Sequence, residues 1–90
     1  MSEGKRTKAM TEMHDPQGTL LNEVTMPSTT QGSVAFTYAY CIAQLGKKAD
    51  WQAINLAIIQ RWKGKTALNR IKELAWLHVA EWREKGVNHE

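Results

Sequence analysis

Apolar residues recur at intervals of three and four along three stretches of this chain, and each stretch predicts a helix with one buried face. Val34, Tyr38, Cys41, Ile42 and Leu45 share a face of the segment from Ser33 to Leu45. Ala35, Ala39 and Ala43 line a second face, where small side chains permit close approach of a neighbour. The segment carries no charge, so much of its circumference should be covered. Gly46 follows as a natural stop, because glycine adopts the left-handed conformation that ends a helix. Lys47 and Lys48 then lie where the helix dipole favours cations.

Asp50 is a good N-cap for a second helix over 51–62. Trp51, Ile54, Asn55, Ile58 and Trp62 fall on one face, and Ala53, Leu56, Ala57 and Ile59 cover most of the rest. A helix this apolar all round is expected at the centre of its bundle. Asn55 needs a hydrogen-bond partner if it is buried there. Lys63-Gly64-Lys65 breaks the pattern. Thr66 is the expected cap of a third helix over 67–85, stopped by Gly86. Leu68, Ile71, Ala75, Val79 and Trp82 form its stripe, widened by Leu74 and Trp76.

Residues 1–31 show no sustained period and contain Pro16, Gly18 and Pro27 among many Ser and Thr. They read as a flexible N-terminal arm. One apolar island, from Leu20 to Met26, interrupts it. Docking on the domain, a short partner-binding segment and simple disorder all remain open for that island. The expected fold is therefore all-α: a compact three-helix bundle over 32–87, a flexible arm before it and a tail over 88–90. Short loops on both sides of the middle helix imply helices that neighbour one another in sequence order.

Composition supports a single small domain. All four tryptophans lie in the second half and all four methionines in the first third. Large aromatic side chains are what a core of this size needs. Cys41 has no second cysteine to pair with and sits in an apolar run, which fits a packed thiol in a reducing compartment. The N-terminus shows no secretory h-region, and the uncharged stretch from Val24 to Gly46 is interrupted by proline and a polar run. These features predict an intracellular chain with no membrane partner.

Charge changes the picture most. Residues 1–46 carry a net −1 and residues 73–90 a net −2, while residues 47–72 hold seven basic side chains and one acidic. Between Arg61 and Lys72 five basic residues occur with no acidic one. A basic block at a turn between two helices fits a phosphate backbone. In this reading Lys47, Lys48, Arg61, Lys63 and Lys65 contact phosphates, aided by Thr66 and the donors at the start of the last helix. Asn69, Arg70 and Lys72 are candidates for base or further phosphate contact, since Asn can read adenine and Arg guanine. Lys5, Arg6 and Lys8 of the arm could follow a groove or backbone.

Other chemistry is thinly supported. Gly64-Lys65-Thr66 matches the end of a P-loop, but Ile59 stands where that motif needs glycine, and no strand precedes it. The order Trp51…Ile54…Gly64-Lys65-Thr66…Ile71-Lys72…Trp76 resembles that of Myb-type DNA-binding repeats over residues 51–76, with spacings that depart by a residue or more. His78 and Glu81 share a helical face without further ligands, so no metal or other cofactor is expected. No nucleophile lies beside a base, and the chain is not expected to be an enzyme. The expected function is nucleic-acid binding, DNA by preference, through a helix-turn-helix-like edge. The alternative is a protein-interaction or dimerisation module that uses the apolar faces of the 33–45 and 67–85 helices.

Overall fold

The structure, a computed structural model, describes residues 14–86. Lys5, Arg6, Lys8 and the tail expected over 88–90 lie outside the described residues. Among the described residues there are four α-helices: α1 (Pro16–Thr25), α2 (Gln31–Gln44), α3 (Trp51–Trp62) and α4 (Lys65–Glu84), with a 3-10 turn, Gly46–Lys48, between α2 and α3. The three helices expected from periodicity are present, and the count of three is corrected to four.

The added helix lies in the stretch read as an arm. Asp15 caps it: its Oδ1 accepts the Gly18 N–H at 3.1 Å, and Pro16 occupies the first turn, where a missing N–H costs nothing. Pro16, Leu20 and Val24 repeat at every fourth position and are buried. Polar contacts tie this helix and the loop after it to the rest. Thr37 donates its hydroxyl to Glu23 Oε1 at 2.7 Å, the Asp50 N–H donates to Gln17 Oε1 at 2.9 Å, and Arg61 Nη2 donates to the Pro27 carbonyl at 3.0 Å. The apolar island around Leu20 is therefore docked core.

The central helix is α2, not α3. Val34, Ala35, Thr37, Tyr38, Ala39, Tyr40 and Cys41 are all buried, which covers most of its circumference. It packs against α4 on one side and α1 on another, while α1 also packs on α3. The main chains of α2 and α3 do not approach each other closely, so these sequence neighbours meet only through side chains. Large side chains span the gap: Tyr38 lies over Trp51 with ring centroids 5.0 Å apart, and its hydroxyl donates to Asn55 Oδ1 at 2.9 Å. That is the partner Asn55 required. On α3 only Ile54 and Ile58 are fully buried, and Leu56 is half exposed. The alanines of α3 made it look more central than it is.

Helix ends follow the expected chemistry with one exception. Thr30 Oγ1 accepts the Ser33 N–H, Gly46 (φ 56°) ends α2, and Gly86 (φ 71°) follows α4. Asp50 Oδ1 accepts the Ala53 N–H at 3.2 Å. Asp50→Ala should therefore cost about 1 kcal/mol of stability, read as a lower urea midpoint at unchanged slope. Thr66 is not the cap of α4. The helix begins at Lys65, and the N-cap residue is Gly64, which has no side chain to offer.

Candidate nucleic-acid interface

The turn between α3 and α4 is only two residues long, because both adopt unusual backbone. Lys63 is left-handed (φ 55°, ψ 60°), the one non-glycine residue with positive φ among the described residues, and Gly64 follows at φ 145°. The N–H groups of both donate back to the Ile59 carbonyl. A left-handed lysine costs roughly 1 kcal/mol relative to glycine. Lys63→Gly should therefore stabilise the fold by up to about 1 kcal/mol in a urea titration, while removing a cation from the surface.

Beyond this turn, the first turns of α4 present Thr66, Asn69, Arg70 and Lys72 along a shallow depression of about 430 Å³, with Glu73 and Trp76 completing it. Thr66, Asn69 and Arg70 are exposed, since Ala67, Leu68 and Ile71 face the core and leave positions 66, 69 and 70 to solvent. Lys63 and Lys65 are exposed at the preceding turn. Because Gly64 provides no capping side chain, the first N–H groups of α4 have no side-chain acceptor, and they lie among these cations.

Lys72 and Trp76 also line a second and larger depression. It has a volume of about 630 Å³ and is bounded by Tyr38, Ile42, Gly46, Lys47, Trp51 and Asn55. Here the fold joins what the sequence separates: Lys47 of the 3-10 turn and Lys72 of α4 stand on one groove. Lys48 is exposed beside Lys47 but lines neither depression. Among the described residues the ion pair within 4.0 Å is Lys85 with Glu81, so these lysines and Arg70 are not neutralised by a bonded carboxylate.

Nothing known matches: the chain fits no protein-family model, no curated protein and no solved structure.

Arg61 does not join the set. Its guanidinium is engaged with the Pro27 carbonyl and stands 4.6 Å from the centroid of the Trp62 ring. It braces the loop between α1 and α2 against the end of α3, a role that sequence spacing does not reveal. Conversely, Trp51, Tyr38 and Asn55, whose spacing marks them only as core, also form a groove wall. The signal was weak: an aromatic residue at helical spacing has the same pattern whether its outer edge is covered or open.

Burial perturbs two groups of α2, Tyr38 in this wall and Cys41. The Tyr38 phenol is pushed from 10.0 to about 12 by burial, with a smaller contribution from Cys41. The Cys41 thiol is pushed from 9.0 to about 12 by burial, reinforced by the negative charges of Asp15 and Glu23 on the α1 side. The folded protein therefore keeps the Cys41 proton where the unfolded chain releases it. The Cys41 contribution to stability should be constant below pH 9.0 and fall as pH rises from 9.0 toward about 12, seen as a declining urea midpoint across that window. Cys41 should also resist thiol reagents near neutral pH until the protein unfolds.

No group of three or more His, Cys, Asp or Glu residues among those described could hold a metal ion. No helix among them is long and apolar enough to cross a membrane.

Proposed function

We propose that this chain is a binding module for nucleic acid, DNA by preference, which engages the phosphate backbone with Lys47, Lys48, Lys63, Lys65 and Lys72. The observation that carries this reading is the side-by-side placement of Thr66, Asn69, Arg70 and Lys72 on the exposed start of α4, next to an uncapped helix N-terminus. Cations and free backbone donors at one edge bind phosphates without any induced change. Asn69 and Arg70, on the outer face of α4, are the groups that would read base edges if that face enters a major groove. Glu73 in the same depression disfavours a phosphate close to it, which leaves the first two turns as the contact region. Arg61 is left out because of its bond to Pro27.

Binding to random duplex DNA should fall steeply with salt. Five neutralised phosphates would give a slope of about −4.5 in log affinity against log salt, or a loss of about five-hundredfold between about 50 and 200 mM. Fluorescence anisotropy on the folded protein measures this directly. Failure to bind DNA or RNA at low salt would remove the reading.

A second reading, a protein-interaction or dimerisation face, is favoured by a different observation. Phe36 of α2 meets His78 and Trp82 of α4 edge-on at 5.7 Å each, and this aromatic cluster reaches the surface through Phe36, which is 41% exposed. Trp76 and Leu77, 50% and 64% exposed, add apolar surface to α4. Concentration-dependent mass in solution, abolished by Phe36→Ala or Leu77→Ala, would favour it.

A further inference from the structure

The groove between α2, α3 and α4 differs in kind from the outer face of α4. Its wall is aromatic and apolar, from Tyr38, Ile42, Trp51 and Trp76, and among the described residues its charged lining is the cations Lys47 and Lys72. At about 630 Å³ it falls in the range of about 300–1,000 Å³ that accommodates a ring-bearing ligand. Its aromatic wall is held in place. The Trp51 Nε1–H donates to the Gly46 carbonyl at 2.8 Å, and the indole packs on Tyr38. Asn55 uses its Oδ1 to accept the Tyr38 hydroxyl, which leaves its amide NH2 with no protein partner among the described residues. The groove thus offers flat apolar surface, a free hydrogen-bond donor and two positive charges.

That combination matches a heteroaromatic base joined to phosphate. In a duplex the base faces are stacked on one another and are not available to a wall of this kind. An unpaired strand presents them, and aromatic side chains beside a basic track are the usual means of holding them. We propose that the groove receives an unstacked base of a single-stranded nucleic acid, with the adjoining phosphates on Lys47 and Lys72 and the base edge on the Asn55 amide. This rests on the reading of the basic edge as a nucleic-acid surface and adds a second contact, to an unpaired base, beside it. An acidic peptide would satisfy the lysines but leave the flat wall without a matching ring.

The test compares one labelled oligonucleotide, single-stranded and annealed to its complement, on the full chain and on Ile42→Trp. The larger side chain intrudes on the groove and changes no cation. Single-strand affinity should drop roughly tenfold or more, the scale of one base stack, with duplex affinity unchanged. Because Ile42 also touches the core, a second measurement uses the unaltered protein. On adding the single strand, the Asn55 side-chain amide and the Trp51 and Trp76 indole N–H resonances should shift together. A single strand that binds without moving the Asn55 amide, or a folded Ile42→Trp variant with full single-strand affinity, overturns the groove assignment and leaves the duplex reading standing. Binding of neither strand form at low salt overturns both. Polyglutamate that shifts the same resonances as strongly as the oligonucleotide would overturn the assignment in favour of an acidic protein partner.

Discussion

Leu20→Ala should destabilise the fold by about 2–5 kcal/mol, the range for a wholly buried leucine that leaves a cavity. Leu20 lies on a helix of only ten residues, yet it is fully buried in the same core cluster as Ile54 and Ile58. Ile58→Ala should cost about 2–4 kcal/mol for the same reason. For a domain of this size either loss is a large part of the total stability. Leu56→Ala is the internal control: at 53% exposure its cost should stay below about 0.5 kcal/mol. Urea denaturation of the three variants, with equal slopes, checks all of these values. A Leu20→Ala protein as stable as the Leu56→Ala control would mean that α1 is peripheral. Loss of residues 1–19 should be severe too, since it removes the Asp15 cap, the buried Pro16, and the Gln17 contact to Asp50.

Reversing the charge at the α3–α4 turn should have the largest effect on binding. Lys63→Glu with Lys65→Glu should weaken association with any nucleic-acid sequence by at least about tenfold at low salt. It should also flatten the salt slope by about 2, one unit for each phosphate that is no longer neutralised. Arg70→Ala should behave differently. If Arg70 reads a base, its removal costs about 1–3 kcal/mol on a preferred site and much less on random DNA. All three side chains are exposed and outside any ion pair among the described residues, so the melting temperature should be little changed. A double variant that retains full affinity and slope would place the phosphate track elsewhere on the surface. Anisotropy titrations at several salt concentrations, beside thermal melts of the same samples, separate these outcomes.

The helical class, the three longer helices and most of their ends are legible in the residue pattern alone. They are legible because those signals are local. The stripe Leu68, Ile71, Ala75, Val79 and Trp82 records which face of α4 turns inward, and Asp50, Gly46 and Gly86 act on the backbone beside them. The basic block was equally plain, since charge is counted without knowing the fold.

Packing between distant segments settled three further features. It recruited Pro16–Thr25 as a helix: ten residues with three inward positions are too few for a period to stand out, and the segment is stabilised by packing on α2 and α3. It made α2 central rather than α3, because burial depends on which neighbours arrive and not on how apolar a helix is. It also sorted the cations. Arg61 was drawn onto Pro27 and Trp62, while Lys47 and Lys72 were brought to one aromatic groove from positions 25 residues apart. The spacing of charges along a chain shows how many are present. Which of them meet, and across what surface, is set by the packing of distant helices.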